Sequence, residues 1–139
     1  MAAALPSPSL FAEGFELPAA MREEKALFSL GGPRSGANFH QHADAWNCVV
    51  FGRKRWGLLP AASEFHWPVL SSPLWWERVR PRLLDEGFPY LHECVQEAGD
   101  VLFVPGSWYH SVENLMTSVS LAVQIGAPSE GWKAFGIGA

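Results

Sequence analysis

Phe39-His40-Gln41-His42-Ala43-Asp44 is the stretch on which the reading of this chain turns. Two histidines and an aspartate stand at alternate positions, and in a strand alternate side chains share a face. His40, His42 and Asp44 are therefore expected on one side of a strand over 38–44. A further histidine stands far downstream, in Val104-Pro105-Gly106-Ser107-Trp108-Tyr109-His110. Ligands close together on one strand, with another returning on a distant strand, are the layout of a metal site inside a β-barrel. Imidazole and carboxylate with open coordination positions suit non-haem Fe(II) better than a closed structural zinc.

Outward from that stretch, the chain reads as short runs rich in Val, Phe, Leu and Trp, punctuated by Gly and Pro. They fall at about 27–31, 38–44, 46–51, 54–59, 92–97, 101–104, 109–114 and 117–124. About eight short strands separated by turn signals form a sandwich or barrel, an all-β fold. Gly31-Gly32-Pro33-Arg34-Ser35-Gly36 is a loop by its chemistry, and no Gly-Lys-Ser/Thr ending makes it a phosphate cradle. Gly52-Arg53-Lys54-Arg55 reads as a tight hairpin connection. Between 61 and 90 the period of two breaks. Pro73-Leu74-Trp75-Trp76-Glu77-Arg78-Val79-Arg80 has Pro at a first helical position and apolar residues at helical spacing. This short helical insertion is expected to pack its Trp face outside the barrel and to end or kink at Pro81.

Residues 1–25 show no sustained period and are expected to be a mobile leading segment, with the barrel over 26–126 and a tail over 127–139. At 139 residues the chain holds one domain. With 48% hydrophobic and 17% charged residues it is globular rather than disordered. A net charge of −4 argues against nucleic acid as a partner, which would call for a basic patch. Cys48 and Cys94 are too few for a disulfide framework and read as buried free thiols. No stretch approaches the roughly 20 apolar residues of a bilayer span, so no membrane partner is expected. Met1-Ala2-Ala3-Ala4-Leu5-Pro6 lacks the basic and apolar regions of a signal peptide. An intracellular location, cytoplasm or nucleus, is expected.

The downstream histidine sits in a frame of its own: Gly99, five residues, Pro105, four residues, His110, three residues, Asn114. With the His40-Gln41-His42 pair, Asp44 and Gly52, it resembles the paired motifs of the cupin superfamily. The resemblance is closer to the JmjC-domain 2-oxoglutarate oxygenases of the lysyl-hydroxylase type. It is carried by Gly32-Pro33-Arg34-Ser35-Gly36, His40, Ala45-Trp46-Asn47, Gly52-Arg53-Lys54-Arg55-Trp56, Asp100-Val101-Leu102-Phe103-Val104-Pro105, Trp108-Tyr109-His110 and Asn114-Leu115. It covers roughly residues 26–125.

The resemblance implies a double-stranded β-helix, the jelly-roll or cupin barrel, that holds Fe(II) with 2-oxoglutarate as co-substrate. It also implies O2-dependent hydroxylation or demethylation, with a protein or peptide side chain as the expected substrate. Lys54 matches the lysine that pairs with the distal carboxylate of 2-oxoglutarate, against a plain reading as an exposed hairpin lysine. Asn47 matches a co-substrate contact. Ala122 falls where a hydroxyl often lines that pocket, with Ser120 and Thr117 as substitutes. The family triad is usually His-x-Asp/Glu with a distal His, and here His42 stands in the carboxylate's place. Three ligand sets stay open: His40/His42/His110, His42/Asp44/His110, or all four. The spacing to Gly52 favours His40 as first ligand. The alternative function is a catalytically silent, metal-binding cupin-like module used for binding or scaffolding. His66 and His92 read as loop and surface residues, and Trp56, Trp75, Trp76 and Trp108 as packing.

Overall fold

In the computed structural model of the chain, residues 25–62 and 70–125 are described. His66, the leading segment up to residue 24 and the tail lie outside them. Eight strands run through the described residues: β1 (Lys25–Gly31), β2 (Gly36–His40), β3 (Ala45–Phe51), β4 (Arg53–Leu59), β5 (His92–Glu97), β6 (Val101–Val104), β7 (Tyr109–Asn114) and β8 (Ser118–Gln124). They build two four-stranded sheets, in the orders β1-β8-β3-β6 and β2-β7-β4-β5. Every pairing is antiparallel. The chain changes sheet at every step except from β4 to β5, where the helical insertion intervenes. This alternation is the double-stranded β-helix, all-β with a short helical insertion, as expected.

Two expectations about the corners are corrected. The strand over 38–44 ends at His40, and residues 41–44 turn the chain. The reason is topological: β2 and β3 belong to different sheets, so the backbone cannot stay extended through His42 and Asp44. Gly52 is likewise a sheet-to-sheet corner and not a hairpin, because β3 and β4 lie in different sheets. Its φ of +87° is open to glycine, and a Cβ there would collide with the Thr117 carbonyl oxygen and Ser118.

The insertion holds α1 (Ser72–Leu74), a wide π-type turn (Trp75–Val79) and α2 (Arg80–Asp85). Pro73 occupies the first turn, as expected. Pro81 does not end the helix. It has no N–H to give to the carbonyl four residues back, and its ring would crowd that carbonyl. The preceding turn widens, so that Arg80 N–H reaches Trp75 O, and the helix continues to Asp85.

Packing forms two layers about the β2-β7-β4-β5 sheet. Along β4, Lys54, Trp56 and Leu58 are buried toward the barrel, where Trp56 and Leu58 meet Val104, Trp108 and Val112. On the other face Trp75, Trp76 and Leu83 pack with Phe39, Phe88 and Leu91. Phe39 and Trp75 rings lie 4.5 Å apart, and Gly57 lets both indoles approach the strand. Arg55 lies 4.2 Å over the Trp76 ring, and its Nε donates to buried Glu113 at 2.7 Å. The tryptophans thus pack, as read from the sequence. Cys48 and Cys94 are half-buried and free, and His92 is exposed.

Candidate metal centre

The barrel brings His40, His42 and His110 together. One ring nitrogen from each lies within 4.8 Å of the others. His40 ends β2 and is paired directly with His110 near the start of β7, their ring centroids 4.2 Å apart. His42 reaches the same place from the corner after β2, 4.5 Å from His110 and 5.4 Å from His40. The β2–β7 register shifts between Ala37 and His40, just before this corner.

Each ring is oriented by a backbone carbonyl. Nδ1 faces Asn38 O at 2.6 Å in His40, Ala43 O at 2.6 Å in His42, and Trp108 O at 3.0 Å in His110. A carbonyl only accepts, so each Nδ1 carries the proton and each Nε2 the lone pair. That tautomer, fixed from behind, is the one a metal ligand requires. Burial lowers the basicity of His40 and His42 below the ordinary 6.5. Burial, then the neighbouring His40 and His42, push His110 well below it. All three rings are therefore neutral at pH 7. Three converging neutral imidazoles fit a divalent transition metal.

Asp44 stands apart from the cluster. It is exposed, and its Oδ1 accepts the Gly106 N–H at 2.5 Å. The structure thus brings together the three-histidine set among the alternatives open in the sequence.

Lys54 is 3% exposed inside the barrel, and burial lowers its basicity. It is not the exposed lysine of a hairpin. Lys54 is paired with Asn114 on β7, as Leu58 is with His110. These levels are four residues apart along β4, about 13 Å at strand rise. Lys54 and Asn114 line a cavity of about 310 Å³ with Gly31, Ser35, Gly36 and Val112. Asn114 also pins the loop before β2: its Nδ2 donates to Ser35 Oγ at 2.9 Å, and its backbone bonds to Arg34 N–H and Ser35 O.

Asn47 Nδ2 donates to Ser120 Oγ at 3.4 Å, and both residues are buried. The amide oxygens of Asn47 and Asn114 and the amide nitrogen of Gln124 are buried without a hydrogen-bond partner among the described residues. A buried ammonium and three unsatisfied amide atoms cost free energy unless a polar ligand meets them. Thr117 is exposed, which leaves Ser120 as the hydroxyl beside Asn47. The placement of Asn114 beside Lys54 was not read from the sequence. Only the β4–β7 register reveals it, although Asn114 closes the His110 frame.

With this geometry in view, comparison with known proteins defines the class. The chain belongs to the cupin-like family, whose profile matches residues 12–125. Its relatives there are JmjC-domain proteins. It is 38% identical over 101 residues to JmjC domain-containing protein 8 of Mus musculus, covering 71% of this chain and 36% of that protein. It is 33% identical over 93 residues to the 2-oxoglutarate and iron-dependent oxygenase JMJD4 of Danio rerio, covering 58% and 22%. The chain thus spans about a third or less of the curated relatives it matches. The structure of YcfD, a ribosomal oxygenase from Escherichia coli in complex with cobalt and succinic acid, shares the fold. Its TM-score is 0.53 at 18% identity, covering 76% of this chain and 24% of that one. No helix among the described residues is long and apolar enough to cross a membrane.

Proposed function

We propose that this chain is the catalytic barrel of an Fe(II)- and 2-oxoglutarate-dependent oxygenase of the JmjC type, hydroxylating or demethylating a protein or peptide side chain. The observation that carries the reading is the convergence of His40, His42 and His110 in the same barrel that buries Lys54, which has no ion pair among the described residues. The three Nε2 atoms would hold the metal, which supplies the site for O2 and for the 2-oxo-acid chelate. Lys54 would take the distal carboxylate, as the buried cation on the same sheet as His40 and His110. Asn47 and Asn114 would meet the same co-substrate through their amide N–H groups and Ser120 through its hydroxyl, since a carboxylate only accepts. Three neutral imidazoles leave both charges of a divalent metal uncompensated; the chelating carboxylate of the co-substrate would offset one of them, its distal carboxylate being taken by Lys54. The Gly31–Gly36 loop lies at the Lys54 end of the barrel, so the substrate would reach the metal from the other end, which carries His40 and His110.

The direct test supplies Fe(II), 2-oxoglutarate and O2 and measures succinate and CO2. Expected is succinate formation that Lys54→Met abolishes while the metal stays bound. An intact, iron-loaded protein that forms no succinate would leave the catalytic reading without support.

A further inference from the structure

We propose that Asp44 is a positioning residue: its carboxylate clasps the corner carrying His42 to the corner that delivers His110, setting the spacing of the metal histidines without touching the metal. This rests on the metal reading above. Asp44 Oδ1 accepts the Gly106 N–H at 2.5 Å. Beside it, the Ser107 N–H donates to His42 O at 2.8 Å, and the Ile125 N–H donates to Asp44 O at 2.7 Å. The β2–β3 corner is thus tied at two adjacent points to the β6–β7 corner and at a third to the residue after β8.

The need for such a tie follows from the topology. His40 and His110 are fixed to each other by the β2–β7 pairing. His42 lies past the end of β2 and has no strand register of its own. Its place opposite His110 depends on what holds the two corners together. The partner corner is itself irregular, with Ser107 at a φ of +63°. Its approach is close: a Cβ on Gly106 would lie 3.1 Å from Asp44 Oδ1 and 3.2 Å from Asp44 N, so the clasp would have to give by a few tenths of an ångström to admit one. A carboxylate accepting from a peptide N–H is a charge-assisted bond, about twice as strong as a neutral one. The sequence pattern that made Asp44 a candidate ligand is met instead by this second task.

Co(II) serves as the probe, because its visible absorption reports the ligand set and its titration the affinity. Asp44→Ala and Gly106→Ala attack the clasp from its two sides, while Asp44→Asn keeps an acceptor oxygen of the same shape. Both alanine variants are expected to weaken Co(II) binding by about tenfold, the scale for groups supporting a ligand. The spectrum of the saturated protein should not change, and Asp44→Asn should restore affinity to within about threefold. A spectrum altered in Asp44→Asn would make Asp44 a ligand and overturn the proposal. Equal affinity in all variants would overturn it too. Should Asp44→Ala fail to fold, Gly106→Ala and Asp44→Asn still decide the matter. Failure of the unaltered protein to bind Co(II) overturns the metal reading and the clasp together.

Discussion

The two sheets have the same number of strands but are finished differently. The β2-β7-β4-β5 sheet is covered twice, by the barrel interior on one face and by Trp75, Trp76 and Leu83 on the other. The β1-β8-β3-β6 sheet exposes much of its outer face: Phe28 is 68% exposed, Leu30 67%, Val101 49% and Phe103 44%. Register makes that face continuous, since Phe28 pairs with Leu121, Leu121 with Cys48, and Cys48 with Val101. His40, His110 and Lys54 all stand on the doubly covered sheet, and Asn47 and Ser120 stand on the other. Groups that must hold a fixed geometry thus sit on the sheet whose strands are locked from both sides. A patch of large exposed side chains costs solubility and commonly marks a contact surface.

The sharpest way to break this division is to exchange the roles of the sheets at the site. His110→Ala, on the covered sheet, should lower Co(II) affinity by more than about 100-fold, beyond the range for supporting groups. Ser120→Ala, on the other sheet, should leave metal affinity unchanged and weaken only the thermal shift given by 2-oxoglutarate. Metal loss in both variants would mean that the two sheets share the centre. Next in size is packing. Trp75, 2% exposed beneath the covered sheet, should cost about 3–5 kcal/mol of unfolding free energy when cut to alanine. Chemical denaturation measures this, and a cost near 1 kcal/mol would show that the insertion is an ornament rather than a second core.

A smaller effect follows from pH. His40, His42 and His110 bind protons less readily folded than unfolded, chiefly through burial. Below about pH 6.5 the unfolded chain takes up protons that the folded one refuses, so stability falls as pH falls. The metal-free protein should therefore melt progressively earlier from pH 7 to pH 5, and His110→Gln should flatten that slope. Protons also compete with metal for the same Nε2 atoms, so affinity should drop across the same window. An unchanged slope in His110→Gln would place the acid sensitivity elsewhere.

The strands were legible because antiparallel sheets write a period of two between Gly and Pro, and the sequence-read run 46–51 differs from β3 by a single residue. His110 was legible because its frame has a sharp corner on each side. What local pattern could not show was which sheet each strand joins. A glycine with positive φ serves a hairpin and a sheet-to-sheet corner equally well, so local pattern at Gly52 points to the commoner of the two. His40-Gln41-His42-Ala43-Asp44 alternates perfectly as a strand, yet crossing between sheets bends it after His40. Of the two outcomes open at Pro81, an end or a kink, the helix does not end, because the widened turn before it absorbs the missing N–H.

The smallest expected effect is the most pointed test of the comparison. Phe28 lies on the exposed face of the β1-β8-β3-β6 sheet, so Phe28→Ser removes little packing and should change unfolding free energy by no more than about 0.5 kcal/mol. Leu30→Thr should behave alike, and the double variant should be nearly additive, because neither side chain is enclosed. Replacing apolar surface with hydroxyl groups should also reduce self-association in sedimentation. A cost of 2 kcal/mol or more for Phe28→Ser would mean that the face is buried in the folded protein, as the outer face of the partner sheet is by Trp75 and Trp76. The two sheets would then differ only in which part of the chain covers them, and the site would be framed by two equally rigid walls.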